Sequence, residues 1–389
     1  MSLDDFRNKI DSIDEQLLGL FEERMNVVSE IAKYKQTNNL PTLDRGREAE
    51  KLRALSGKVD SQLEPLAHIL FDTLLELSRS HQSTIRKTAS DLYKEISNAI
   101  ENTDKLFPAS AAVACQGVEG AFSQIACERI FKRPDIQYFK TFESVFSAIK
   151  NGFCNYGVLP LENSTAGSVN KIYDLMQSGD FKIVKSIRLK VDHNLVAPKG
   201  VNLKDIKEIF SHEQAISQCA GFLEKLGPEV KITRCENTAE AAQMVAEMSA
   251  GTASESGRKD AAAICSSNCI HLYDLDCLAK DIQDRSNNYT RFICISKQLE
   301  IYPGADRTSI MLVLPHRPGA LYKALARIYV LGINLIKIES RPLLDRDFQF
   351  MFYFDLETSV YSEEFAKLME GLQEFCEEFK YLGSYTEVI

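Results

Sequence analysis

Arg24 stands where the helical pattern calls for an apolar residue. Leu3, Ile10, Leu17 and Ile31 recur at seven-residue steps, and Phe6, Ile13, Leu20, Val27 and Tyr34 form a companion series, which predicts one long amphipathic helix. Arg24 shares the row of Leu17 and Ile31, so its guanidinium points at whatever surface this helix packs against. A cation buried there needs something anionic beside it. Taken alone, such an arginine is more simply a side chain whose stem snorkels over the seam. Other polar groups converge on the same place. Arg7 and Lys35 share one heptad position beside the seam, a following helix carries Arg47 and Glu48 behind Asp44, and a third puts Ser78 and Gln82 four residues apart on one face. Residues 24 and 35 are separated by roughly 16 Å of helical rise, within joint reach of two long side chains, whereas 7 and 24 are separated by roughly 25 Å. If all three cations serve one ligand, Arg7 comes from a second copy of the helix, which predicts a dimer with shared sites.

A second group of polar residues lies further on, in Glu119-Gly-Ala-Phe-Ser123, Pro160-Leu-Glu-Asn-Ser-Thr-Ala-Gly-Ser168, Ser211-His-Glu-Gln214, Gln218-Cys219 and Asn288-Tyr-Thr-Arg-Phe292. Strand-to-helix junctions of this composition leave N–H groups and hydroxyls facing a cleft, a setting suited to carboxylates. Each by itself is an ordinary capped loop. A third group, Arg317-Pro-Gly-Ala-Leu321 and Glu339-Ser-Arg-Pro342, flanks a predicted helix and strand near the end of the chain.

The elements that must hold these groups change in kind along the chain. Residues 1–104 read as helix only, with a break at Asn38-Asn39-Leu40-Pro41, a second helix from Asp44 to Leu55 ended by Ser56-Gly57, and a third from about Asp60. The third is expected to continue past Arg86 through Leu92 and Ile96, into a linker around Glu101 to Pro108. From 105 to 299 short apolar strands (111–115, 156–159, 261–265) alternate with helices (123–131, 143–151, 215–226, 238–248), the pattern of an α/β domain in two lobes. Residues 300–389 repeat strand, helix, strand, strand, helix, strand, a ferredoxin-like α+β unit.

At 389 residues the chain is long enough for several cores. Its net charge of −9 argues against a nucleic-acid or anionic-membrane partner. No apolar run approaches a membrane span, no export signal is visible, and ten cysteines without CxxC spacing suit reduced thiols in the cytoplasm. No histidine and cysteine set completes a metal site, and no cofactor is expected.

The helical set Arg7, Arg24, Lys35, Asp44, Arg47, Glu48, Ser78 and Gln82 resembles the all-helical chorismate mutases throughout its spacing. The resemblance implies a domain-swapped dimer that converts chorismate to prephenate. Arg7, Arg24 and Arg47 would bind the two carboxylates, Lys35 and Gln82 the ether oxygen, Glu48 the ring hydroxyl and Ser78 a carboxylate edge. A pericyclic rearrangement needs only that a dianion be held folded while charge on the breaking C–O bond is stabilised.

The second set resembles prephenate dehydratase, whose signature is the Thr290-Arg291-Phe292 triplet. That resemblance implies a two-lobed fold like the periplasmic binding proteins. Thr290 would donate to the departing ring hydroxyl, and Ser123, Glu162, Asn163, Ser211, Gln218, Arg291 and Phe292 would serve the cleft, with Arg291 either binding or packing. A solute receptor is the rival for this lobe pair.

The third set resembles the ACT domain of phenylalanine biosynthesis. It implies phenylalanine bound near Gly319, Ala320, Leu321, Glu339, Ser340 and Arg341. The three resemblances, in this order, are the layout of the bifunctional P-protein family. Two variants of the reading stay open: a helical segment that serves mainly to dimerise the chain, and a dehydratase that prefers arogenate. The order of oligomer above a dimer is also open.

Overall fold

The computed structural model describes all residues except 1, 39, 41–43, 86–90, 251–256 and 344–348. The expected break at 38–41 and any helix across 86–90 therefore fall partly outside the described residues.

Four helices open the chain: α1 (Leu3–Thr37), α2 (Arg45–Ser56), α3 (Glu64–Ile85) and α4 (Asp91–Asn102). A capping box starts α1, with Ser2 Oγ accepting from the Asp5 N–H at 3.2 Å and the Asp5 carboxylate accepting from the Ser2 N–H at 2.6 Å. Asp44 caps α2 by accepting from the Arg47 N–H at 3.1 Å, and Gly57 closes it.

Strands and helices then alternate. First come β1 (Ser110–Gln116), α5 (Phe122–Ile130), β2 (Arg133–Phe139), α6 (Phe142–Lys150), β3 (Tyr156–Asn163), β4 (Gly167–Ser168), α7 (Asn170–Ser178) and β5 (Lys182–Lys190). Next are β6 (Asn194–Ala197), β7 (Glu208–His212), α8 (Glu213–Gln218), α9 (Ala220–Leu226), β8 (Lys231–Cys235), α10 (Thr238–Ala250), β9 (Ala261–Cys265), α11 (Asn268–Leu272) and β10 (Asp276–Ala279). The strand β11 (Tyr289–Ser296) follows. The tail holds β12 (Arg307–Val313), α12 (Ala320–Val330), β13 (Asn334–Pro342), β14 (Phe350–Glu357), α13 (Glu363–Phe375), β15 (Glu378–Tyr385) and β16 (Glu387–Val388).

Three sheets result. The first runs β16-β5-β11-β3-β1-β2, with β4 on β3. The second runs β10-β6-β9-β7-β8, and the third β13-β14-β12-β15, the strand order of a ferredoxin-like βαββαβ unit. The chain leaves the first sheet after β5 and returns to it at β11, so two crossings join the α/β lobes, as the alternation predicts. Apolar clusters fill each lobe: Val113, Cys115, Val158, Phe292 and Cys294 in the first, and Val196, Phe210, Ala242 and Ala263 in the second.

Two features depart from expectation. The helix read as 215–226 is two helices, because Asp284 intrudes. The Gln218 carbonyl accepts from the Asp284 N–H at 2.8 Å instead of continuing the helix, and the Gly221 N–H donates to Asp284 Oδ1 at 3.1 Å. The chain end also adds β16 to the first sheet, parallel to β5, with Val388 opposite Ile187.

By internal packing the chain forms two compact units. One comprises 1–95, 312–335 and 360–379, and in it α1 and α2 pack on α3, as does α13. The other comprises 96–311, 336–359 and 380–389. All ten cysteines are free thiols. Among the described residues no helix is long and apolar enough to cross a membrane.

Candidate functional site

In the helical unit Arg24 meets α3. Its Nη1 donates to the Leu74 carbonyl at 3.0 Å and to Ser78 Oγ, and burial lowers its pKa from the usual value. Ser78 and Gln82 are buried one turn apart, and among the described residues Gln82 Oε1 has no hydrogen-bond partner. A glutamine amide presents either its donor or its acceptor after a half-turn, so this position suits an ether oxygen. Glu48 of α2 is ion-paired to Arg79, the neighbour of Ser78. Asp44 works as the cap of α2, while Arg47 is exposed and Lys35 half-buried.

Arg7 is not brought to this cluster. It is exposed and pairs with Asp4 at 3.2 Å on its own helix. The seam that the heptad rows predict as packed is open in the single chain: Leu3, Phe6, Ile10, Ile13, Leu17, Leu20, Val27, Ile31 and Tyr34 are 41% to 65% exposed. The heptad pattern is a property of one helix and does not say which chain covers it.

In the two-lobed part, β3 and β11 run antiparallel with Thr290 opposite Asn163 and Arg291 opposite Glu162. Side chains alternate across a strand, so these two pairs face opposite ways. On one face, Asn163 Oδ1 accepts from the Thr165 and Ala166 N–H groups at 3.0 and 2.9 Å and from Thr165 Oγ1 at 2.7 Å. That fixes which end of the amide is NH2. Its Nδ2 then donates to Asn288 Oδ1 at 2.8 Å and to Thr290 Oγ1 at 2.9 Å. Thr290 is thereby an acceptor toward Asn163, and its own proton is left for another group.

The network continues across the lobes. Gln218 Nε2 donates to Thr165 Oγ1 at 2.8 Å, and its Oε1 accepts from Asn288 Nδ2 at 2.9 Å. His193 Nε2 lies 2.8 Å from the same Gln218 oxygen, and burial lowers the pKa of its imidazole. Beside this network opens a cleft of about 720 Å³ lined by Thr165, His212, Gln218, Gln283, Arg285 and Asn288. A second recess of about 480 Å³ brings Arg129, Arg188 and Lys190 near Phe122 and Ser267.

Four residues read as cleft residues lie elsewhere. Ser211 is fully buried and donates to the Ile264 carbonyl at 2.8 Å, so it ties β7 to β9. Phe292 belongs to the core of the first lobe: it lies two residues from Thr290 on the same face of β11, opposite Ile187 of β5, and clusters with Ile187 and Cys294. Glu162 pairs with Lys337 at 2.5 Å on the face away from Thr290. Arg291 is 4% exposed and surrounded by Asp355, by Tyr385 Oη at 2.8 Å, by Glu387 at 3.1 Å and by Glu162 at 3.4 Å. Burial opposes its charge, and Tyr385 and Asp355 outweigh burial, so its pKa is raised. Arg291 packs. Ser123 is buried in the first turn of α5. Thr165 lies within the 160–168 run, whereas His193 and Gln283 belong to no motif in the sequence and reach the network and cleft through the fold.

Removal of the Arg291 charge leaves two buried carboxylates without it. Arg291→Ala is expected to destabilise the chain by about 3–5 kcal/mol, read from urea unfolding. A loss under about 1 kcal/mol would contradict a structural role for the guanidinium.

In the tail, Gly319 begins α12 with φ +79°, a conformation that favours glycine. Ala320 is buried and Leu321 half-buried. Along β13, Glu339 accepts from Ser168 Oγ at 2.5 Å and Arg341 grips Asp174 of α7 at 3.0 and 3.1 Å. Ser340, between them, is exposed. Glu339 and Arg341 are thus engaged with the α/β segment.

A helical segment with a cationic cluster, a two-lobed α/β part with a polar cleft, and a ferredoxin-like tail are the parts of a multidomain enzyme. The family models agree on the first two: residues 6–83 match chorismate mutase type II, and residues 113–300 match prephenate dehydratase. The bifunctional chorismate mutase/prephenate dehydratase of Aquifex aeolicus is 31% identical over 100% of this chain and 98% of its own length. An arogenate dehydratase/prephenate dehydratase of Arabidopsis thaliana is 37% identical over 70% of this chain and 72% of its own. Among solved structures, the prephenate dehydratase of Arthrobacter aurescens in complex with L-Phe superposes with a TM-score of 0.63 at 28% identity, over 71% of this chain and 89% of that one. The chain belongs to the bifunctional chorismate mutase/prephenate dehydratase family, whose two activities serve phenylalanine biosynthesis.

Proposed function

We propose that residues 1–104 rearrange chorismate to prephenate, that residues 105–299 dehydrate and decarboxylate prephenate to phenylpyruvate, and that residues 300–389 bind phenylalanine and feed back on the chain. The observation that carries the dehydratase assignment is the locked amide of Asn163. It makes Thr290 a donor toward a departing hydroxyl, where a weak acid suffices because aromatisation is downhill. Asn163, Gln218 and Asn288 hold the substrate's polar groups, and Ser123 is assigned to the same cleft. Prephenate is taken as the substrate in preference to arogenate because the mutase segment of the same chain makes it.

In the mutase site, Arg24, Lys35, Arg47, Glu48, Ser78 and Gln82 come from one chain and Arg7 from a second, whose seam covers the first. Apolar side chains exposed along a whole helix support a homodimer. Leu17→Glu is expected to convert the dimer to a monomer by analytical ultracentrifugation and to remove mutase turnover with it. A dimer that persists in this variant contradicts the seam as the interface. The phenylalanine site is assigned to Gly319, Ala320, Leu321 and the Glu339–Arg341 strand, and the protein to the cytoplasm. Purified chain supplied with chorismate, its products followed over time with and without phenylalanine, tests the whole reading. Prephenate should appear first, then phenylpyruvate, and phenylalanine should slow the second step.

A further inference from the structure

Glu48 is the end of a chain of alternating charges. Its carboxylate meets one nitrogen of Arg79, and another nitrogen of that guanidinium meets Glu76, one turn earlier on α3. Glu76 takes Arg327 of α12 at 2.7 Å and has Lys323 at 3.6 Å, and Lys323 binds Asp72 at 2.7 Å. Arg327 is itself fixed, donating to the Gly371 carbonyl and lying 4.5 Å from the centroid of the Phe375 ring. Positions 72, 76 and 79 recur at helical spacing, so one face of α3 carries the whole series. A cavity of about 120 Å³ runs beside it, lined by Glu48, Arg79, Lys323, Arg327 and Arg317, and Arg317 is two residues from Gly319.

Exposed ion pairs contribute little. These are largely removed from water: the side chains of Glu76 and Arg79 are each 12% exposed. Burial opposes the charge on both, and their partners outweigh it, so the carboxyl of Glu76 is held below its usual range and the guanidinium of Arg79 above.

We propose that Arg79 is a positioning residue of the mutase reaction: it fixes the carboxylate of Glu48, and α12 fixes Arg79 through Glu76, so that the tail helix sets the geometry of the mutase site. The proposal rests on the reading of Glu48 as a substrate contact. A guanidinium holds two carboxylates at a set angle through separate nitrogens, which an ammonium does not. Without it, Glu48 rotates freely, and a misplacement of about 1 Å is enough to cost about a hundredfold in rate.

The test uses the full-length chain, with chorismate consumption as the readout and prephenate dehydration as the measure of intact folding. Arg79→Ala should lower mutase kcat by about tenfold to a hundredfold with a smaller change in KM. Arg79→Lys should recover part of that loss. Arg327→Gln, which touches neither Glu48 nor substrate, should lower kcat in the same direction by a smaller factor. In a Glu48→Gln background Arg79→Ala should have no further effect, because its action passes through the carboxylate already removed. A wild-type kcat in Arg79→Ala, or an equal loss with and without Glu48, overturns the proposal. A Glu48→Gln chain as fast as wild type overturns the assignment of Glu48 and the proposal with it. A slow Glu48→Gln beside a fast Arg79→Ala leaves that assignment standing and removes the proposal alone. If Arg79→Ala does not fold, full mutase rates in both Arg79→Lys and Arg327→Gln overturn it.

Discussion

Thr290→Ala is expected to lower prephenate dehydration on the order of 10²–10⁴-fold, the usual worth of a positioned proton donor, while the chain folds as before. The geometry says why the loss is large while the structural cost is confined to one hydrogen bond. Asn163 cannot turn its amide round, because Thr165 and Ala166 hold its oxygen. Its NH2 therefore always donates to Thr290, and the Thr290 hydroxyl proton always points elsewhere. When the hydroxyl is removed, one N–H of that NH2 keeps Asn288 Oδ1 at 2.8 Å and the other loses its acceptor, a cost of about 1–3 kcal/mol. Asn163→Asp supplies the control. An acceptor in place of the NH2 draws the Thr290 proton inward, and the same loss should follow with the hydroxyl still present. Steady-state turnover of prephenate measures both. Near-wild-type rates in Thr290→Ala would mean that another group protonates the leaving hydroxyl.

Arg24→Ala should lower chorismate consumption on the order of 10²-fold or more, because the dianion loses a cation that holds it folded, and leave prephenate dehydration unchanged. The arginine spans from α1 to Leu74 and Ser78 on α3. Ser78 Oγ retains the Leu74 carbonyl at 2.5 Å when the guanidinium is gone, so α3 keeps its internal bonding. The rate loss is therefore one of charge rather than of fold. This variant also separates a working mutase from a helical segment that serves only to dimerise, because the latter predicts no change in either assay.

How far the sequence led depends on the range of the interactions involved. Element types and their order followed from local periodicity, and the ferredoxin-like tail came out with its strands in the expected succession. The contiguous run Thr290-Arg291-Phe292 reads as one site, yet on a strand its members cannot all face one way. Arg291 turns to Asp355 and Tyr385, and Phe292, on the face of Thr290, packs into the core of the first lobe. Alternation was available in the sequence; the identity of the partners, 64 and 94 residues away, was not. Ser211 looked like a junction hydroxyl, but its acceptor lies on β9, 53 residues on. The split between α8 and α9 is likewise tertiary, made by Asp284. The two residues of β16 are too few to carry a period at all. Arg79 carries no signal in the sequence, because charged residues on helices are common and its task comes from the neighbours Glu48 and Glu76.

A pocket completed by two polypeptides can be examined by mixing two inactive ones. Arg7→Ala and Arg24→Ala chains, each without mutase activity alone, should recover about a quarter of the wild-type rate after subunit exchange, since half the dimers are mixed and each mixed dimer has one intact site. No recovery, with exchange verified by mass-tagged subunits, would place both arginines in sites built from a single chain and contradict the account.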